Sequence, residues 1–340
     1  MIKSNKLLLE PQKRLEYFDI LKFFAIALVV WGHAIQFFSI EYLDSFIYRC
    51  IYSFHMPLFM FIAGFFYASS SKLEFWSMLK KKFKQLILPC FVWAFIATII
   101  STFLLDSTFH IQSILIKGVT NYWFLKCLFI FYMFAGICEK TKKYKQILLF
   151  AMLIFSQFIP FYQIPAMYQF FLLGILVREY QNLILRYKNY ICFACMLVFS
   201  VMICFFDKSF WSPISIRSIF FNANYHDIEL FFYQRTFRFF IGTSGCLFFY
   251  LFAYNIVKFS VLSEISKKIA YFGTITMPIY ILQQQIFYIL RRYIHIDYTN
   301  FTIYNTVTTP IISLLVFIMC VSIIYIVSKN KLLNKLLFGM

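Results

Sequence analysis

Charge is what this chain has least of. Only 14% of its 340 residues are charged, 62% are hydrophobic, and the mean hydropathy is +0.75. Soluble domains carry about 25% charge, so this scarcity excludes an ordinary soluble domain. Acid is scarcer than base, 14 residues against 32, for a net charge of +18. That excess does not mark a nucleic-acid partner, because the basic residues fall in short clusters between apolar runs, as loop charges of membrane proteins do. Internal repeats, low-complexity tracts and a second soluble domain are also missing. The basic opening MIKSNKLLLEPQKRLEYFD leads into an apolar run without a small-residue cleavage site, so a removable signal peptide is not expected. Cys192 and Cys195 have CxxC spacing, but no second pair or nearby His accompanies them. No metal site is expected, and the nine cysteines read as buried thiols.

What is present is a series of apolar segments. They predict an all-α, polytopic membrane bundle of about ten transmembrane helices, near 18–39, 50–70, 85–105, 123–138, 146–160, 164–178, 189–206, 237–257, 270–290 and 309–328. Pro160 and Pro165 mark a tight turn between the short fifth and sixth. The chain reads as one domain, 1–340, with tails at 1–17 and 329–340 around a bundle at 18–328. Most of the basic residues lie in the N-tail, at 72–84, 140–145, 178–188 and 258–268, and in the C-tail. The positive-inside rule then puts both termini in the cytoplasm. Two outer loops are long: 207–236, with Trp211, His226, Asp227, Glu229 and Arg235, and 291–308, with Arg291, Arg292, His295 and Asp297.

The first apolar stretch, FDILKFFAIALVVWGHAIQFF, contains Lys22 and His33. Eleven residues is close to three turns at about 3.6 residues per turn, so the two share a face, with Asp19 and Gln36 near the same stripe. Ionisable groups at membrane depth are expensive and face bundle interiors or watery cavities. The rise along the helix puts His33 roughly 22 Å above Phe18, in the outer half of the bilayer. His55 enters from the outer side, about 8 Å down by the same rise, so both histidines lie at similar depth. Gln283, Gln284 and Gln285 fall in that outer half too. One reading is a set of interhelical hydrogen bonds that only hold the bundle. The other uses His as a proton acceptor near neutral pH. Asp19 is roughly 21 Å from His33 along the helix, too far for a dyad, but it is placed to pair with Lys22 at i,i+3.

Other features keep two readings each. Lys80, Lys81, Lys82 and Lys84, ahead of the third helix, fit anchoring to anionic headgroups or a cytoplasmic phosphate site. Tyr122 and Trp123 fit an interfacial belt or a sugar-stacking mouth. Arg235 and Arg238 fit interfacial anchoring or an anionic acceptor.

Together these residues resemble the membrane acyltransferase-3 family, especially sugar O-acetyltransferases of the fucose-4-O-acetylase kind, from about Arg14 to Ser328. RLEYFDILKFFAIALVVWGH is similar to the family opening, with Asp19, Lys22 and His33 in place. FHMPLFMFIAGFF resembles its second-helix signature, with His55, Met56, Pro57, Phe59 and Gly64. Trp123, Phe124 and Leu125 resemble its WFL element. GTITMPIYILQ resembles its late segment, with Gly273, Ile279 and Tyr280 in register. Two departures stand out. KKKFKQLILP replaces an Arg-x-x-Arg, leaving either Lys82 and Gln85 or Lys81 and Lys84 in register. Gln283 replaces a His, and can hydrogen-bond but not take a proton at neutral pH.

The resemblance implies an O-acyltransferase that moves an acyl group, most often acetyl, from cytoplasmic acetyl-CoA to a hydroxyl of a cell-surface glycan or its lipid-linked precursor. It sits in the cell inner membrane among membrane lipids. His33 is the implied general base or transient acyl carrier, with Asp19 and His55 among the catalytic residues. Lys22, Lys81, Lys82 and Lys84 are implied for CoA phosphates, and Trp123, Tyr280, Gln283 and Arg235 for substrate. The alternative from another class is a transporter or flippase for a glycan or small solute. The Phe-, Ile- and Lys-rich composition fits an AT-rich bacterial genome.

Overall fold

The computed structural model describes residues 15–105, 110–159, 161, 163–211, 225–257, 263–296 and 300–340. The N-tail to residue 14, Pro160, residues 212–224 of the long outer loop, part of the basic segment at 258–268 and Asp297 lie outside them. Among the described residues there are helices and no strand.

Among the described residues, fourteen helices of eight residues or more organise the bundle. They are α1 (Glu16–Phe38), α2 (Phe46–Phe65), α3 (Phe75–Lys82), α4 (Leu88–Leu105), α5 (Ile111–Thr120), α6 (Trp123–Lys140) and α7 (Lys145–Ser156). After these come α8 (Ile164–Glu179), α9 (Lys188–Cys204), α10 (Tyr225–Ile256), α11 (Ser263–Thr274), α12 (Thr276–Tyr293), α13 (Thr309–Ser328) and α14 (Lys331–Phe338). Among the described residues, five helical stretches are long and apolar enough to cross a membrane: Glu16–Phe38, Phe46–Ser70, Phe75–Phe103, His226–Ile256 and Phe301–Ser328. The pair α5 and α6, bent by 63°, makes a sixth if it is one span.

α1 is the axis of the bundle, in contact with α2, α10, α11, α12 and α13. Glu16 and Asp19 in its first turn complement the positive end of the helix dipole. Ser45 caps α2, accepting the Tyr48 amide at 3.2 Å. Lipid gives no hydrophobic drive between helices, so small residues bring backbones together. α2 and α8 use two of them. Gly64 meets the Phe171 backbone and Gly174 the Phe61 backbone, where any Cβ would collide with a carbonyl. Gly273 does the same at the end of α11, against the Asp19 carbonyl of α1.

Four segments differ from the sequence expectation. The basic cluster at 80–84 is not a loop. α3 runs through a π-helical turn, Phe83–Ile87, into α4, whose second residue is Pro89, a residue with no N–H to give to the preceding turn. The expected span at 270–290 is two helices, α11 and α12, with the break at Ile275. The outer segment at 207–236 is helical from Tyr225 onward. The expected C-terminal tail forms α14, whose Leu337 carbonyl accepts the Trp93 indole N–H at 2.8 Å. Gly339 caps α14 at φ +66° and lies against the Gln85 backbone, a conformation and a gap that suit glycine.

Candidate active site

Gln283 brings α12 onto α1. Its Oε1 lies 2.8 Å from His33 Nδ1, and its Nε2 donates to the Tyr280 carbonyl at 3.2 Å. The second bond fixes which end of the amide faces the histidine. An amide oxygen only accepts, so Nδ1 carries the proton and Nε2 keeps its lone pair. The opposite nitrogen of a half-buried ring is thereby set up as a base.

Two cavities flank this pair along the same helices. The one nearer the N-terminal end of α1, called the inner one for that position alone, has about 280 Å³ and an apolar wall of α2 and α6 residues, including Met56, Phe59, Phe124 and Leu125. Lys22 from α1 and Thr276, Met277 and Tyr280 from α12 complete it. The outer one, of about 630 Å³, is lined by Gln36 and Phe37 at the top of α1 and by Arg291 and His295 beyond Gln283. His33 and Gln283 fall between the two sets on both helices.

Lys22 pairs with Asp19 at 3.1 Å and lies over the Phe66 ring at 5.2 Å. Asp19 is thus the partner that steadies Lys22, a turn from the inner end and remote from His33. Lys82 packs its ammonium 4.0 Å from the centroid of the Tyr132 ring, another wall of the inner cavity. Lys81 and Lys84 are exposed. Of the four lysines expected for phosphates, the fold brings Lys22 and Lys82 to this cavity.

His55 is buried and its Nδ1 donates to the Ile51 carbonyl at 2.7 Å, so its Nε2 also keeps a lone pair. Tyr52 stands between the histidines. Its ring centroid is 4.4 Å from that of His55 and 6.4 Å from that of His33, and its hydroxyl donates to Gln36 at 3.0 Å. Gly32 makes room for it, since a Cβ there would lie 2.7 Å from the Tyr52 ring. Sequence reasoning did not single out Tyr52; its one signal was a tyrosine a turn before His55.

Tyr280 lines the inner cavity, its ring centroid 5.6 Å from that of Phe124. Trp123 is half-buried beside Phe124 and lines neither cavity. Arg235 also lines neither. Its guanidinium lies 5.4 Å from the Phe231 ring centroid, and its buried Nε has no hydrogen-bond partner among the described residues. Gln285 was visible in the sequence only as one of three outer-half glutamines, and Lys126 was passed over. Gln285 donates to the Tyr122 hydroxyl at 2.7 Å, holding the one non-glycine residue described at positive φ, +55°. Lys126 donates to the Val119 carbonyl at 2.8 Å and to that of Asn121, closing the end of α5. No group of three or more His, Cys, Asp or Glu with metal-holding geometry occurs among the described residues.

The geometry sets an oriented histidine between two cavities, and the comparisons say what kind of protein carries it. The model for the acyltransferase domain matches residues 15–329, so the chain belongs to that acyltransferase family. Among curated proteins it is similar to the nodulation protein NolL of Sinorhizobium fredii, 28% identical over 211 residues, covering 56% of each chain. The NolL of Mesorhizobium japonicum is 29% identical over 211 residues, covering 55% of each. The chain therefore spans about half the length of the curated relatives it matches. No solved structure matches it.

Proposed function

We propose that this membrane acyltransferase moves acetyl from cytoplasmic acetyl-CoA to a hydroxyl of a cell-surface polysaccharide or a lipid-linked glycan precursor. The observation that carries this reading is the His33–Gln283 hydrogen bond, held between an inner and an outer cavity on the same two helices. CoA is a substrate here, and no tightly bound cofactor is part of the scheme. Its phosphates meet Lys22 and Lys82, and the acyl-bearing arm enters the apolar inner cavity. The acceptor hydroxyl comes from the outer side. His33 Nε2 takes its proton as the oxygen attacks the thioester carbonyl. The C–S bond breaks, the ester forms, and the proton passes to the departing thiolate. A relay fits the same geometry: Nε2 first accepts the acyl group and then yields it to the hydroxyl.

In this reading the ten apolar segments all cross the cell inner membrane, the short ones by packing against longer neighbours, and both termini are cytoplasmic. A transporter would use the same buried His and Lys to bind solute, but no internal repeat supports that alternative. The test is transfer of radiolabelled acetyl from acetyl-CoA to surface glycan in membranes carrying wild type or His33→Ala at equal abundance. Label that appears with wild type and vanishes with the variant supports the proposal. Full labelling by the variant removes its core.

A further inference from the structure

The outer cavity is larger than a single hydroxyl requires, and its lining is unlike that of the inner one. Its floor is apolar, with Phe37 and Phe38. Its rim carries Arg291 at the end of α12 and His295 just beyond, both exposed. Among the described residues no acidic side chain lines it. Of the acids that follow α1, Glu41 is exposed outside the lining, and Asp44 is paired with Lys208 at 3.0 Å. Arg291 has no ion pair or hydrogen bond among the described residues. Arg292 beside it adds a second exposed cation. A planar guanidinium left free above an apolar floor is built to take an oxyanion through two parallel hydrogen bonds.

Position adds a length. Arg291 is eight residues beyond Gln283, roughly 12 Å along α12 from the group that orients His33. More than one sugar ring fills that gap. Resting on the reaction proposed above, we propose that the outer cavity is a subsite for an anionic glycan. Arg291, with His295, holds a carboxylate or phosphate of the acceptor roughly 12 Å from the hydroxyl that is modified. The anion fixes the register of the chain, and the apolar floor carries the sugars between.

The test measures binding without acetyl-CoA, so it stands apart from acyl transfer. The full chain is reconstituted in neutral-lipid nanodiscs and titrated with trigalacturonate and with maltotriose, as wild type and as Arg291→Gln. A third arm places a polyprenyl phosphate in the bilayer, which separates a lipid-borne phosphate from a sugar carboxylate. Binding of one anionic probe should exceed that of maltotriose, weaken at least tenfold in Arg291→Gln, recover in part in Arg291→Lys, and fall with added salt. Equal melting temperatures show that the variants are folded. Anionic and neutral probes bound alike, anionic binding untouched by Arg291→Gln, or no binding of either anion would overturn the proposal. If anion binding holds while acetyl transfer fails, the subsite survives and the reaction assigned above does not.

Discussion

Two helix seams meet in this bundle and are built in opposite ways. Along α2 and α8 the backbones touch at Gly64 and Gly174, and buried Phe61 and Phe171 fill the rest. Along α1 and α12 a side-chain hydrogen bond, His33 to Gln283, spans the gap, with a cavity on either side. In lipid, close packing is what drives helices together, and a polar bond between helices averages only about 0.6 kcal/mol. The α1–α12 seam thus gives up stability that the α2–α8 seam keeps. A fold retains such a seam when the space and the polar group have work to do. The scaffold lies where glycine meets backbone, and the proposed chemistry lies where a bond replaces packing.

That contrast is sharpest for Gln283→Leu, which keeps the volume and removes the group that holds Nδ1–H. General-base catalysis contributes about 10²–10⁴-fold, and a histidine free to turn or change tautomer loses much of it. We expect kcat to fall by about 10²-fold, with KM for acetyl-CoA and melting temperature little changed. A variant that lost stability instead would make this seam a mere brace. The reverse is expected of Gly174→Val. Overpacking costs about 1–3 kcal/mol, and more where the obstacle is backbone. Here the yield of monodisperse protein and its melting temperature should drop together, and an unchanged melt would break the comparison.

The residues of the α1–α12 seam were legible in the sequence although their pairing was not, and those of the α2–α8 seam were hardly legible at all. Lys22 and His33 are visible because ionisable residues are rare at membrane depth, and helical spacing alone puts them on one face. That Asp19 pairs with Lys22 follows from i,i+3 spacing, and the 3.1 Å contact bears it out. Gln283 was visible as a polar residue, but its partner 250 positions away was not. Spacing is local information, and the choice of neighbour is set by packing. Gly64 carried a signal only as part of a motif, and Gly174 none. Lys126 is as rare a residue at that depth as Lys22, yet its ammonium is consumed by the carbonyls that end α5. Buried charge marks a polar requirement; only the partner tells whether that requirement is structural or chemical. The basic run at 80–84 was read as loop because charge suggested solvent. A helix with one face outward accommodates it equally well.

Within that run the seam makes a finer distinction. Lys22→Ala removes a cation from the lining of the inner cavity and Lys82→Ala one from behind its Tyr132 wall, and a hydrogen bond to a charged group is worth about 1.5–3 kcal/mol. KM for acetyl-CoA should rise about tenfold or more in each, with little change in kcat at saturation. Lys81→Ala and Lys84→Ala, on exposed side chains, should move KM less than threefold, roughly 0.6 kcal/mol or under. Equal effects from all four would point to general attraction of the acyl donor to a basic surface instead of a lined pocket.

The smallest effect tests whether Tyr52 belongs to the site or to the scaffold. Its hydroxyl bonds Gln36 at 3.0 Å, while its ring fills the space that Gly32 leaves beside His33 and stacks on Tyr48 at 4.0 Å. Tyr52→Phe keeps the ring and removes only the hydroxyl. If the ring is what matters, stability should fall by about 0.6 kcal/mol, the average for one interhelical bond, and turnover should stay within about threefold of wild type by the same measure. Gln36 lines the outer cavity, so releasing it would show first as a modest rise in KM for the acceptor. A fall in kcat as large as that of Gln283→Leu would mean that the hydroxyl itself takes part in proton transfer. The site would then extend across α2 to His55, whose free Nε2 would gain a role that packing alone does not give it.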